Sequence, residues 1–282
     1  LDQAVNTQLM ERILPLLTQF HTRNILSSQG ALSGKWIAGV LQSILNASPA
    51  SMKSRVKLQR MDHPWDQPSF IVRVEASVKS ESSSNPAVIL GAHYDSVNIK
   101  DPRSGRAPGA DDNGSGVVVL MEALRCVMLA NTPLKHPIEF HWYSGEEAGL
   151  LGSQAVVRSY VKGHKKVAGA LMMDMVAFPQ GKGSNPVIGV ANDNTNPQLS
   201  QFVRSLVKTY TDAIPKDFQC GYACSDNYPW FRKNFPTSLV FESNDMEVNK
   251  VLHTQEDSLE NIDYNHAKRF ARLAVAFALE LA

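Results

Sequence analysis

The chain is poor in cysteine, in net charge, in long apolar runs and in repetition, and each shortage closes off a class of protein. Three cysteines among 282 residues are too few for a disulfide-stapled scaffold. With 28 basic and 27 acidic side chains and a formal charge of +1, nothing favours a nucleic-acid or anionic-membrane partner over a neutral substrate. No apolar run approaches the roughly 20 residues of a membrane span. The start, LDQAVNTQLMERI, lacks the basic-then-apolar pattern of a signal peptide, so a soluble chain is expected, with any leader already removed. There is no internal repeat, no low-complexity tract and no compositional break. A hydrophobic content of 43% suits a globular protein, and residues 1–282 read as a single domain.

Cys126 lies in GVVVLMEALRCVMLA, an apolar stretch of helical period, and reads as a small core hydrophobe. Cys220 and Cys224 in CGYAC lack the second pair that a structural zinc site needs. A small disulfide-closed loop is the expectation, and it implies an oxidising compartment. Two reduced cysteines in a loop are the alternative.

What is present is an alternation of strands and helices. VNTQLMERILPLLTQF and SGKWIAGVLQSILN have helical spacing, with Pro15 expected to kink or split the first. SRVKLQRMDH and SFIVRVEASV alternate as a hairpin would. AVILGAHYD, IEFHWYS, GALMMDMV, NPVIGVAN and PTSLVFES read as strands. GSGVVVLMEALRCVML, LLGSQAVVRSYVKG, PQLSQFVRSLVKTY and NHAKRFARLAVAFALELA read as helices, the first with Asp111 and Asp112 in its opening turn. Near-continuous apolar strands separated by helices predict a three-layer α/β/α fold with a mixed, centrally parallel β-sheet. Ligands bind such sheets beyond the carboxyl ends of the strands. His93 with Asp95, Asp111 with Asp112, Glu146 with Glu147, Asp174 and His253 each begin where an apolar run ends.

Each cluster has an ordinary explanation: a core histidine, a turn aspartate, a helix cap, a solvated helix start. Jointly that explanation weakens, because buried carboxylates are costly unless paired or bound to metal. A zinc hydrolase is the expectation.

HYDS at 93–96, GADDNGSG at 109–116, SGEEAGLLGS at 144–153, MDM at 173–175, CGYACSD at 220–226, FES at 241–243 and HTQED at 253–257 resemble the ordered motifs of secreted bacterial leucyl aminopeptidases. Those enzymes belong to metallopeptidase family 28 and carry two co-catalytic zinc ions. The likeness runs from about residue 85 to the C-terminus, and the first 70 or so residues carry no comparable signature. Carried over by position, it implies one zinc on His93 and Asp174, a second on Glu147 and His253, and Asp111 bridging both. It further implies a cis peptide between Asp111 and Asp112, Asp95 orienting His93, and Asp257 in a supporting part near His253. Imidazole nitrogen and carboxylate oxygen suit zinc at about 2.0–2.2 Å. Glu146 matches the general base and Tyr222 a hydroxyl that holds the tetrahedral oxyanion.

The same likeness assigns Met175, Cys220, Cys224, Leu239, Phe241 and Leu252 to an apolar pocket preferring Leu, Met or aromatic residues at a peptide or protein N-terminus. NDMEVNKVL departs from the pattern and places Asp245 and Glu247 where relatives carry aromatics, so a preference for Lys or Arg is the alternative. A one-zinc glutaminyl cyclase and a non-catalytic receptor-like module are rival readings. The double aspartate argues against the cyclase, and the retained ligand positions with Glu146 argue against the module. A secreted monomer without nucleic-acid or membrane partner is expected.

Overall fold

The computed structural model describes residues 4–77, 85–179 and 185–282. Its centre is an eight-stranded sheet built from β1 (Val56–Met61), β2 (Ser69–Val74), β3 (Ala87–His93), β4 (Ile138–Tyr143), β5 (Val167–Met173), β6 (Val187–Ala191), β7 (Ile214–Phe218) and β8 (Thr237–Phe241). Their order across the sheet is β1-β2-β4-β3-β5-β8-β6-β7. The middle pairs β4/β3, β3/β5 and β5/β8 are parallel, and β1/β2, β2/β4 and β6/β8 are antiparallel. The mixed, centrally parallel arrangement is as expected, and the predicted hairpin is β1 paired with β2. Val78, at the end of that predicted run, lies outside the described residues.

The central strands explain the layering. β3 and β4 are buried at every residue, so both faces need covers. The helices are α1 (Gln8–Leu17), α2 (Ser28–Ala47), the short α3 (Ala50–Lys53), α4 (Gly116–Ala130), α5 (Leu151–Lys162), α6 (Pro197–Tyr210), the short α7 (Asn227–Arg232) and α8 (Tyr264–Leu281). Side chains of α1, α2, α4, α6 and α8 join one apolar cluster, and those of α5 and α7 join the cluster on the opposite face. The core is thus two apolar layers either side of the sheet.

α4 is buried almost all round, because it packs against β3, α1, α2 and α8 together. A helix without a polar stripe belongs to a core. The stretch Ala110–Ala130 reaches the length and mean hydropathy (1.4) of a membrane span, contrary to the expectation that no run comes close, but 83% of its most apolar 18 residues are buried inside the fold. Cys126 is buried on this helix, as predicted. Pro15 neither splits nor ends α1: it sits in the last turn, followed by Leu16 and Leu17, where few further helical bonds remain to be lost.

Three elements escaped the sequence, among them α3, whose four residues are too short to show a period. β7 has the sequence IPKDF and is largely exposed at the sheet edge, and α7 carries Pro229 inside six residues; neither shows a hydrophobic period. The predicted first turn at Asp111 and Asp112 is not regular helix. Asp112 (φ −101°, ψ 97°) and Asn113 (φ −119°, ψ 44°) leave helical geometry before α4 begins at Gly116.

Candidate metal centre

Five strand and loop ends meet at one rim of the sheet. β3 ends on His93, β5 is followed by Asp174, and the turn after β4 carries Glu146 and Glu147. The turn before α4 brings Asp112, and the loop after β8 brings His253. Two sets of ligand-type atoms gather there: His93, Asp112 and Asp174 in one, and Asp112, Glu147 and His253 in the other. Asp112 belongs to both. Its Oδ1 is 3.2 Å from His93 Nε2 and its Oδ2 is 3.1 Å from His253 Nε2. His93 Nε2 also lies 3.3 Å from Asp174 Oδ1, and His253 Nε2 lies 3.2 Å from Glu147 Oε2.

This corrects the expectation for Asp111. Its carboxylate points away from both groups: Oδ1 accepts from the backbone N–H of Ala177 (2.9 Å) and Oδ2 from Asn249 Nδ2 (3.1 Å). The cis peptide is likewise one residue later than expected, between Asp112 and Asn113. The physical cause lies in the turn. Asn113 accepts from Gly116 N and donates to Met173 O, which fixes the residue after Asp112 against the end of β5. At Gly109, φ is +52° and an added Cβ would meet Asp112 O at 2.4 Å, so only glycine fits there.

Other side chains hold these ends in place. Asp95 accepts the backbone N–H of Glu146 (3.0 Å) and of Glu147 (3.1 Å), and its Oδ1 lies 3.5 Å from His93 Nδ1. Asp257 does the same for Asp111 (2.9 Å) and Asp112 (3.0 Å), so it supports the aspartate turn rather than His253. Ser225 Oγ donates to Asp174 Oδ2 at 2.6 Å. Arg23 is fully buried and donates to the carbonyls of Tyr94, Pro108 and Gly109. Gln67 donates to Arg23 O and accepts from Ser144 Oγ. The N-terminal segment, which showed no signature, therefore fastens the two loops that precede Asp112 and Glu146. A buried arginine among backbone carbonyls leaves no periodic trace in sequence.

The electrostatics are those of crowded acids. Burial pushes Glu146 well above the usual carboxylate range. It lifts Glu147 to about 8, with the charge of Asp112 adding to the effect. Burial works against charge on His253, but its hydrogen bonds to Asp112 and Glu147 outweigh it and raise the imidazole to about 11. The donor set also fits a metal chemically: two imidazoles and three carboxylates are the borderline N/O ligands zinc takes, and Glu147 Oε1 is buried without a hydrogen-bond partner.

Beside these groups opens a cavity of about 270 Å³. Met175, Cys220, Cys224, Leu239, Phe241 and Leu252 all line it, with Phe218 and Met246 completing the apolar wall. Cys220 and Cys224 form a disulfide. Asp193 accepts the backbone N–H of Cys220 and Gly221 and so ties the bridged loop to the end of β6. Tyr222 lines the same cavity and is 65% exposed. Partial burial and then the charge of Glu146 raise its hydroxyl pKa, and a tyrosine hydroxyl is a hydrogen-bond donor at neutral pH even at its ordinary value. Asp245 and Glu247 are exposed and do not line the cavity, and Glu247 pairs with Lys250 at 2.9 Å. The two acids on which the alternative preference for Lys or Arg rested therefore do not reach the pocket.

A mixed sheet with imidazoles and carboxylates massed at its carboxyl rim, beside an apolar pocket, defines a metallohydrolase class of architecture. Comparison with known proteins narrows the class. The pattern for "Peptidase family M28" matches residues 73–278. Leucine aminopeptidase 1 of Arthroderma otae is 41% identical over 280 residues, covering 97% of this chain and 73% of that protein. The solved LapA aminopeptidase of Legionella pneumophila superposes with a TM-score of 0.90 at 28% identity, over 99% of this chain and 72% of that one. A glutaminyl cyclase of Porphyromonas gingivalis shares the fold alone, with a TM-score of 0.77 at 17% identity over 99% of both chains. The chain belongs to peptidase family M28. Its similar sequences include fungal enzymes, where the motifs had suggested bacterial ones, and the likeness reaches across the N-terminal 70 residues as well.

Proposed function

We propose that residues 1–282 form one peptidase domain, a zinc-dependent aminopeptidase that removes Leu or another bulky apolar residue from peptide and protein N-termini. The observation that carries this reading is Asp112, whose two carboxylate oxygens face His93 and His253 separately. One zinc would be held by His93, Asp174 and Asp112, the other by Glu147, His253 and Asp112. When bound, such a pair polarises the scissile carbonyl and acidifies water.

The chain's own residues supply the remaining steps. Glu146 lines the cavity beside both groups and is the base, taking a proton from the attacking water. Its carboxyl then gives that proton to the departing amine nitrogen. Tyr222 donates its hydroxyl to the oxygen of the tetrahedral intermediate. Asp95 and Asp257 orient the backbone that carries Glu146, Glu147 and Asp112. The apolar cavity takes the N-terminal side chain.

Glu146→Ala tests the assignment. Zinc content and the folded circular-dichroism spectrum should be retained, while kcat on leucine p-nitroanilide falls by about a thousandfold or more. An unaltered rate removes Glu146 from the mechanism. One zinc per chain together with cyclisation of N-terminal glutamine would establish the cyclase instead. The disulfide supports a secreted setting.

A further inference from the structure

The loop after β8, residues 243–252, has no regular strand or helix. It nonetheless supplies two cavity walls, Met246 and Leu252, and leads into His253. Among the described residues, the hydrogen bonds of 244–252 close within the stretch 243–254, with one exception. Asp245 N, Glu247 N and Val248 N bond to Ser243 or Asp245, and Lys250 bonds to Glu247. The exception is Asn249, a polar side chain only 4% exposed, whose Nδ2 donates to Asp111 Oδ2 at 3.1 Å. Its Oδ1 meanwhile accepts from Val251 N at 3.1 Å, which shapes the chain just before Leu252.

The acceptor is rigid. Asp111 is fully buried, its Oδ1 is held by Ala177 N, and its own N–H is held by Asp257. A loop without regular structure has many conformations to lose on ordering. A buried hydrogen bond to a charged acceptor, together with the partly buried Met246, Val248 and Leu252, opposes that cost.

We propose that Asn249 is a positioning residue that sets substrate preference: anchored on Asp111, it holds Met246 and Leu252 against the cavity so that bulky apolar N-terminal side chains are gripped. The proposal rests on the aminopeptidase reading above and extends it to the stretch that departs from the family's motifs. Asp111 thus serves the outer wall of the pocket, although its carboxylate faces neither metal group.

The test compares wild type, Asn249→Ala, Asn249→Gln and Met246→Ala, each loaded with zinc. Hydrogen–deuterium exchange should accelerate at least severalfold in residues 244–252 of Asn249→Ala and stay slow in the sheet. The ratio of kcat/KM for leucine over alanine p-nitroanilide should fall about tenfold, the scale of hydrophobic pocket discrimination, with KM carrying most of the loss. Asn249→Gln, which keeps an amide donor, should recover part of the ratio. Met246→Ala, a change on a partly exposed wall, should lower the ratio without accelerating exchange. Unchanged exchange, an unchanged ratio, or an equal fall in kcat on both substrates overturns the proposal. A wild type that cleaves neither anilide overturns the aminopeptidase reading itself, whereas intact cleavage with an unaltered ratio in Asn249→Ala overturns this inference alone.

Discussion

Asp257 Oδ2 accepts the backbone N–H of Asp112 at 3.0 Å while its other oxygen takes that of Asp111. Asp95 grips the consecutive amides of Glu146 and Glu147 in the same way. The two acidic pairs at the centre are therefore each clamped from behind by one buried carboxylate, which fixes the backbone from which Asp112, Glu146 and Glu147 reach the site.

That clamping separates Asp111 from Asp112 in function. Asp112→Ala should bring zinc content, measured by atomic emission, well below two per chain, because both groups lose a ligand. Asp111→Asn should retain two, since its side chain reaches neither group. The opposite pattern would return the bridging role to Asp111.

The clamps themselves can be probed. In Asp95→Asn and Asp257→Asn, an amide can turn only one acceptor oxygen toward two N–H donors. Metal affinity or kcat/KM should fall by about 10- to 100-fold, the usual range for partners that orient ligands. Zinc titration and leucyl anilide kinetics measure it, and wild-type values in both variants would reduce the clamps to bystanders.

A pH dependence of stability is built into the first turn of α8, at His266. Burial lowers His266 to about 4, and its Nε2 faces the backbone carbonyl of Glu242 at 3.0 Å, so the neutral ring carries its proton on Nε2. The unfolded imidazole protonates near pH 6.5. Between about 6.5 and 4 the unfolded chain binds more protons, so stability falls as the pH drops through that window, by on the order of 3 kcal/mol. His266→Gln, which still donates to the carbonyl, should flatten that part of the curve in urea melts at pH 7 and pH 4.5. An equally steep loss in the variant would place the acid sensitivity elsewhere.

The sequence disclosed the elements whose burial leaves a period. α6 was legible from Pro197 to Tyr210 because its apolar residues recur on one face, and β3 because its residues are apolar as far as His93 and all are buried. β7 and α7 were not, since an exposed edge strand and a proline-bearing turn of helix have nothing periodic to show. Within the site, residue types and spacing identified which clusters meet. They misjudged which of two adjacent aspartates faces inward, because that depends on a backbone that leaves helical geometry at Asp112 and Asn113. Arg23, Gln67, Ser225 and Asn249 escape a reading of the sequence for a common reason: each works through a few hydrogen bonds to distant chain, and no local pattern encodes such partners.

The buried start of α4 divides the molecule into parts with different freedom to change. Asp112 and Asn113 sit at the head of the helix that fills the middle of the protein, so alterations near the reacting atoms disturb the whole interior. Residues 244–248 stand outside that constraint, on a surface stretch held by the neighbouring Asn249 and by the apolar contacts of Met246 and Val248. Descendants of this chain, natural or selected in the laboratory, could exchange one diet of peptides for another there while their hydrolytic machinery stays as it is.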